Sequence, residues 1–157
     1  MSAILRPERE AAWSVDTMRE SDIGAVERIE RVVYEFPWTA GNFRDSLKSG
    51  YLGAVCKVDG VLAGYAIQMY VIDEAHLLNI TIAPAFQNNG HGSRFLHWLM
   101  DEARSRNMSS LFLEVRSSNA RAQSFYTRFG FGRIAIRRDY YPARGGREHA
   151  LILRTNL

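Results

Sequence analysis

The stretch Ile80-Thr81-Ile82-Ala83-Pro84-Ala85-Phe86-Gln87-Asn88-Asn89-Gly90-His91-Gly92-Ser93 decides how this chain is expected to fold. An apolar segment ends at Pro84, and a turn with two glycines then leads into apolar residues at helical spacing. This order predicts a strand, a turn and a helix. The first N–H groups of such a helix lack partners and its dipole is positive there. We therefore expect an anion site, in which Gly90 and Gly92 leave room for a phosphate.

Two familiar phosphate-binding turns do not fit this stretch. A dinucleotide-binding fingerprint needs a small residue three positions after Gly92, where Phe95 stands. A P-loop needs Lys followed by Ser or Thr after its last glycine, and Ser93-Arg94 follows here. From spacing alone, the remaining alternatives are another kind of anion site or a flexible turn that binds nothing.

The chain around this turn alternates predicted strands and helices. Asp59-Gly60 is a typical two-residue hairpin turn between two of the strands. Ser21 and Thr39 are expected to cap the first two helices, and Asn119 a later one. The nearly all-apolar strand Leu111–Arg116 is typical of burial on both faces of a sheet. The predicted strands are Trp13–Arg19, Tyr51–Val58, Val61–Val71, Ala75–Ala83, Leu111–Arg116, Gly132–Tyr141 and Glu148–Arg154.

This alternation predicts one α/β or α+β domain over residues 13–157, preceded by a flexible N-terminal arm over residues 1–12. No segment approaches the ~20 apolar residues that span a bilayer, and no signal peptide is expected. The single cysteine, Cys56, lies in an apolar run and is interpreted as a small buried hydrophobe. A cytoplasmic location without membrane association is the expectation.

Charge and histidine spacing narrow the possible ligands. The four histidines show none of the spacings typical of metal sites, so we predict no metal. Arginine outnumbers lysine by 18 to 2. Five arginines lie close together within residues 133–147 of the C-terminal quarter, and they fit either a solvated surface or contacts with phosphate, RNA or an acidic substrate. These five are Arg133, Arg137, Arg138, Arg144 and Arg147.

Gln87-x-x-Gly90-x-Gly92 after a strand and a proline resembles the acetyl-CoA pyrophosphate motif of the GCN5-related N-acetyltransferase (GNAT) superfamily. Further segments are similar to its RimI branch, over nearly the whole chain beyond the arm. They are Phe36–Trp38, Leu77–Ile80, Leu113–Ala120, Phe125–Phe131, Arg137–Pro142 and Gly146–Ala150. The resemblance implies a single mixed, twisted sheet of about seven strands flanked by about four helices. It also implies that the fourth and fifth strands splay apart where acetyl-CoA inserts.

The resemblance also implies site residues. Glu114 would be the general base, acting through water, and Tyr126 the acid that protonates the CoA thiolate. From the residues alone, Glu114 could instead be an exposed strand-end residue or an ion-pair partner of Arg116, and Tyr126 a core residue. The implied cofactor-binding residues are Ile80, Thr81, Ile82, Gln87, Asn88, Asn89, Gly90, His91, Gly92, Ser93 and Asn119. The implied substrate-binding residues are Phe36, Trp38, Asn79, Tyr140 and Tyr141.

The activity that this resemblance implies is acetyl transfer from acetyl-CoA to the α-amine of an N-terminal alanine, that of small-subunit ribosomal protein eighteen. Direct nucleic-acid binding is not required. The alternatives are a GNAT enzyme for lysine side chains or small amines, and a non-catalytic acyl-CoA-binding or ribosome-associated module. Two departures from the family pattern bear on the site. Asn88 and Asn89 replace frequent arginines, and His149 replaces an acidic residue.

Overall fold

A computed structural model of the chain describes residues 10–157. Most of the predicted N-terminal arm lies outside the described residues. At its end, Ala12 exchanges hydrogen bonds with Asp59, of 2.9 Å from the Ala12 N–H and 2.7 Å to the Ala12 carbonyl. Within residues 10–157, no helix is long and apolar enough to cross a membrane.

Seven strands and four α-helices make up the described chain. The strands are β1 (Trp13–Thr17), β2 (Leu52–Val58), β3 (Val61–Val71), β4 (Glu74–Ile82), β5 (Ser110–Arg116), β6 (Gly132–Ala143) and β7 (Gly146–Asn156). The helices are α1 (Ile23–Val33), α2 (Ala40–Lys48), α3 (His91–Ser105) and α4 (Ala120–Arg128). Two 3₁₀ turns, Glu20–Asp22 and Pro84–Phe86, precede α1 and α3.

The strands form one mixed sheet in the order β1-β2-β3-β4-β5-β7-β6, in which only β4 and β5 run parallel. This confirms the predicted fold class. The β2–β3 hairpin turns at Asp59 and Gly60, both with positive φ (49° and 78°), as a two-residue turn of this kind requires.

Local capping was predicted well except at the first helix. The Thr39 hydroxyl accepts a hydrogen bond from Asn42 N at 3.1 Å, and α2 begins at the next residue. The Ser21 prediction is wrong, since Ser21 lies inside a 3₁₀ turn. The Asp22 carboxylate accepts from Arg19 N at 2.8 Å instead, and α1 starts at Ile23.

Two apolar clusters hold helices to opposite faces of the sheet. One contains Phe95 and Leu99 of α3 and Tyr126 of α4, packed with residues of β2 to β5. The other contains Val26 of α1 and Phe43 of α2, packed with residues of β2 and β3. Because α1 and α2 cover only that part of the sheet, one face of β5 is left without a helix above it.

That uncovered face overturns the prediction that β5 is buried on both sides. Leu111, Leu113 and Val115 are buried, whereas Phe112, Glu114 and Arg116, on the other face, are half-buried. The strand therefore has one core face and one face that is partly open to solvent.

Parallel pairing between β4 and β5 covers four residues, from Glu74–Ser110 to Leu77–Leu113, and then stops. The β3–β4 pairing shifts at the same level, from Ile67–Asn79 to Gln68–Leu77, so Leu78 is an extra residue in β4. The predicted splay between the fourth and fifth strands is thus present, and a bulge in β4 accompanies it.

Gly64 of β3 lies against the splayed part of β4, and a Cβ there would sit 2.6 Å from the Thr81 carbonyl oxygen. We expect Gly64→Ala to lower the free energy of unfolding by about 1–3 kcal/mol, because backbone must move to relieve the contact. Urea unfolding measures this. Gly24→Ala is the matched control, since its Cβ would meet nothing nearer than the Arg28 side chain at 3.6 Å. Equal stability of the two variants would contradict the close packing of β3 on β4.

Candidate active site

The splay opens into a cleft of about 900 Å³ on the face of β5 that carries Glu114. Its walls come from the carboxyl halves of β4 and β5, the end of α1 with the following loop, the start of α4, and the β6–β7 hairpin. Of the sequence-predicted site residues, it brings together Phe36, Trp38, Asn79, Ile80, Glu114, Asn119, Tyr126, Tyr140 and Tyr141. Thr81, Ile82 and the Gln87–Ser93 turn do not line it.

The turn from Gln87 to Ser93 lies outside the cleft, beyond the end of β4, and leads into α3. The Gln87 side chain donates to the Ile82 carbonyl at 2.9 Å and fastens the turn to β4. Gly90 has φ 78°, which favours glycine, and a Cβ there would point into open space. The first N–H groups of α3 have no helical partner, and within residues 10–157 no side chain caps them.

The two asparagines of the turn have different contacts. Asn88 has a left-handed backbone (φ 65°), and its side-chain oxygen accepts from Arg121 Nη2 at 2.7 Å. Asn89 donates to the Gln87 carbonyl at 3.2 Å. Arg121, in the first turn of α4, therefore brings a guanidinium to a turn that lacks arginines of its own. The open space at Gly90 and these donors suit a phosphate.

Glu114 points from β5 into the cleft and makes an ion pair of 2.8 Å with Arg137 of β6. The alternative prediction, an ion pair between Glu114 and Arg116, is wrong. The Arg116 guanidinium pairs with Glu148 of β7 at 3.1 Å. Arg137 is also placed 4.2 Å from the ring centre of Tyr140. The strand order explains both pairs, because β7 and β6 follow β5 in the sheet.

Tyr126 lies on α4, which packs on the opposite face, and it reaches the cleft through the gap between β4 and β5. The side chain is largely buried, at 9% exposed. Burial is the main cause that raises the pKa of Tyr126 above its ordinary value. The nearby phenols of Tyr34 and Tyr141 raise this pKa further. The phenol is consequently protonated at neutral pH.

Arg116 contacts two of the segments that form the cleft wall, the β6–β7 hairpin and the α1–α2 loop. Its guanidinium donates to the Pro142 carbonyl at 2.8 Å and stacks 4.5 Å from the ring centre of Tyr141. The Phe36 ring lies on it at 5.3 Å, so the β6–β7 hairpin and the α1–α2 loop meet at one residue. Hydrogen bonding from Ser118, and then the charge of Arg116, lowers the pKa of Glu148.

A two-residue irregularity in β6 carries the paired tyrosines. Register shifts between Arg137 and Tyr141, and Asp139 has a positive φ of 50°. The Asp139 N–H donates to His149 Nδ1 at 3.0 Å. His149, one of the residues that depart from the family pattern, thus supports the bend that places Tyr140 and Tyr141 at the cleft.

Sequence reasoning missed Glu30 and Tyr34, which also line the cleft. The signal for Glu30 was present, since it follows Ile23 and Val26 at helical spacing on the buried face of α1. A carboxylate there needs buried donors, and the chain supplies them from Tyr65 and Asn79. Cys56 is buried as predicted, and burial raises the pKa of its thiol to about 11.

A mixed sheet that opens between two parallel strands, next to a helix start without a side-chain cap, matches the arrangement that the resemblance to GNAT enzymes implies. The family model described as "Acetyltransferase (GNAT) family" matches residues 11–131. The chain therefore belongs to the GNAT acetyltransferase family.

Individual relatives agree with this assignment. The chain is 38% identical to a ribosomal protein bS18-alanine N-acetyltransferase of Escherichia coli K12, over 89% of this chain and 95% of the relative. The crystal structure of the ribosomal-protein-alanine N-acetyltransferase from Escherichia coli superposes with a TM-score of 0.86 at 36% identity, covering 92% and 94% of the two chains. A putative acetyltransferase from Salmonella typhimurium, solved with its cofactor acetyl-CoA, shares the fold with a TM-score of 0.74 at 21% identity, covering 93% and 94%.

The lowered pKa of Glu148 makes a prediction about acid stability. A lowered native-state pKa stabilises the fold above the ordinary glutamate pKa of 4.5, and this contribution disappears as the pH falls through the native-state value. We expect Glu148→Gln to be less stable than the natural chain at pH 7 and to approach it below about pH 4. Urea unfolding at both pH values measures the difference. A gap that stays constant on acidification would contradict the Arg116–Glu148–Ser118 contacts.

Proposed function

We propose that this chain is an N-terminal protein acetyltransferase that moves the acetyl group of acetyl-CoA to the α-amine of an N-terminal alanine, that of small-subunit ribosomal protein eighteen. The observation that carries the proposal is the placement of Glu114 and Tyr126 in one cleft where β4 and β5 separate. The curated relative from Escherichia coli, similar over nearly its whole length, acts on the alanine of ribosomal protein bS18 according to its name.

The residues expected to hold acetyl-CoA form a path along β4 to the start of α3. In this proposal the backbone of Ile80–Ile82 contacts the cofactor, and an N–H there polarises the acetyl carbonyl. The Gln87–Ser93 turn binds the pyrophosphate through its N–H groups. Asn119 adds a hydrogen bond while its side-chain oxygen also caps α4 through Ala122 N at 3.1 Å. Bound acetyl-CoA would supply an activated thioester, so the protein needs no covalent nucleophile.

The acid and base approach the gap from opposite sides of the sheet. Within residues 10–157, the Glu114 ion pair uses Oε1, which leaves Oε2 to take a proton from the incoming amine through water. The Tyr126 phenol, kept protonated by burial, gives its proton to the departing sulfur. The peptide is proposed to lie between the α1–α2 loop, with Phe36 and Trp38, and the β6–β7 hairpin, with Tyr140 and Tyr141.

Amine ionisation favours a chain N-terminus over lysine. An α-amine has a reference pKa near ~8 and lysine one near ~10.4, so lysine costs about 3 kcal/mol more to deprotonate at the same pH. A site with one carboxylate base meets the smaller cost more easily. Lysine side chains or small amines are the alternative substrates, and a non-catalytic acyl-CoA-binding module is the alternative of another class.

The substrate prediction is tested with a peptide panel. Purified protein with acetyl-CoA should release CoA thiol with a peptide that carries the ribosomal protein's N-terminal alanine. The same peptide with a blocked N-terminus and one internal lysine should release it about 10²-fold more slowly, in line with the ionisation cost. Turnover confined to lysine peptides or small amines would reject the proposed target. Acetyl-CoA binding without turnover on any amine would favour the module.

The acid–base pair is tested by two substitutions. Glu114→Gln should lower kcat/KM about 10²-fold at pH 7, with partial recovery at higher pH because more of the amine is already neutral. Tyr126→Phe should lower kcat by a similar factor, since the sulfur leaves without its proton. Initial rates of thiol release from pH 6 to 9 measure both. Glu102→Gln on α3 and Tyr70→Phe on β3 are controls outside the cleft. If both cleft variants keep the rate of the natural chain, Glu114 and Tyr126 are not the acid–base pair.

A further inference from the structure

Four glutamates line the cleft, and their charges are not balanced in the same way. Three of them are paired with arginines: Glu35 with Arg144 at 2.6 Å, Glu114 with Arg137 at 2.8 Å and Glu148 with Arg116 at 3.1 Å. Glu30 is the exception, because within residues 10–157 no basic side chain lies at ion-pair distance from it. Glu30 is therefore the cleft carboxylate whose charge the described chain leaves uncompensated.

The Glu30 carboxylate is buried, with 2% of the residue exposed, and it is held by neutral donors. Its Oε1 accepts from the Tyr65 hydroxyl at 2.8 Å and from the Asn79 amide at 3.1 Å. Its Oε2 accepts from Trp38 N at 3.0 Å. Three donors thus meet the two side-chain oxygens, which is an arrangement that satisfies a carboxylate.

A chain of hydrogen bonds connects the Glu30 carboxylate to the cleft wall. The oxygen of the Asn79 side chain accepts from the Thr81 hydroxyl at 2.9 Å, and Thr81 in turn contacts the Tyr34 hydroxyl at 2.7 Å. Asn79 follows the bulged Leu78, at the level where β4 leaves β5. The uncompensated charge thus lies beside the gap that Glu114 and Tyr126 face.

A buried charge without a partner is costly, and the usual solution is an opposite charge nearby. An amine with a reference pKa near ~8 is about 90% protonated at pH 7, so the substrate arrives in the cleft as a cation. Surrounding arginines neutralise the other three carboxylates. The unpaired carboxylate acts over a longer range because a low-dielectric wall screens it weakly.

We propose that Glu30 is a positioning residue whose negative charge draws the ammonium form of the substrate amine into the cleft. The proposal rests on the proposed function, since it requires an amine substrate. Glu30 itself is buried in the cleft wall and acts through its charge, whereas Glu114 is the proposed base. The ligand is a cationic chain N-terminus. Glu30 should not raise the affinity for a neutral N-terminus of the same sequence.

The test compares two peptides that differ only in an N-terminal acetyl group, which removes this charge. One carries a free N-terminal alanine and the other the same alanine acetylated, and the binding of each is measured calorimetrically with CoA present. We expect Glu30→Gln to weaken the free-amine peptide about tenfold and to change the acetylated peptide by less than about twofold. Equal weakening of both peptides would show that Glu30 only maintains the cleft's shape, and would overturn the proposal. Unchanged affinity for both would overturn it as well.

Three further variants separate charge from structure. Glu30→Asp keeps the charge and should keep the preference for the free amine, even where overall affinity falls. Tyr65→Phe removes one donor to Glu30 without changing its charge, so both peptides should respond alike. Glu27→Gln changes a glutamate of the same helix that is already paired with Arg31 at 3.1 Å, and should leave the preference unaltered. Should Glu30→Gln not fold, loss of the preference in Glu30→Asp would overturn the proposal.

The outcomes for the natural chain distinguish this inference from the proposed function. If the natural chain binds the free-amine peptide and Glu30→Gln loses no selectivity, this inference fails and the proposed function stands. If the natural chain binds neither peptide while it binds CoA, the proposed function fails, and the inference fails with it.

Discussion

The early end of the β4–β5 pairing is the constraint on which the rest of the structure depends. The two parallel strands share four paired residues and separate after Leu77 and Leu113, where Leu78 bulges out of β4. Each strand remains paired on its other side, β4 with β3 and β5 with β7, so the separation creates two inner edges within an intact sheet. Backbone groups along such edges need partners. A bound cosubstrate can provide them, which links the fold directly to the proposed chemistry.

The positions of the helices turn this gap into a site with two distinct sides. Because α1 and α2 cover β2 and β3 only, Glu114 stays open to an incoming chain terminus. Tyr126 reaches the gap from α4 on the other face, where burial keeps its phenol protonated. In the proposed mechanism a proton is therefore taken on one side of the sheet and given on the other. Arg116 connects the α1–α2 loop to the β6–β7 hairpin and so holds together the wall of the cleft that these two segments form.

Local signals in the sequence predicted much of the fold. Asp59-Gly60 predicted its hairpin, Thr39 and Asn119 predicted their helix starts, and Gly90 marked the start of α3, because each depends on residues a few positions away. The seven-strand mixed sheet and its splay came from the resemblance to a family. Ser21 failed because Asp22, one residue further on, satisfies Arg19 N instead.

The side-chain partners within the site could not be read from the sequence in the same way. Glu114 pairs with Arg137, 23 positions away, and Glu30 bonds with Asn79, 49 positions away. Such contacts depend on strand order and on the register between β5, β7 and β6, which local patterns do not specify. The exposed face of β5 was missed for a related reason, since composition alone does not indicate how far α1 and α2 extend over the sheet.

We propose that acetyl-CoA occupies the gap between β4 and β5. Amide hydrogen exchange of the natural chain, with and without acetyl-CoA, tests it most directly. We expect slower exchange for amides at 78–82 and 90–94, with no change in the fully paired β2 strand, Leu52–Val58. Protection confined to another surface, or absent from 78–82 at saturating acetyl-CoA, would contradict it.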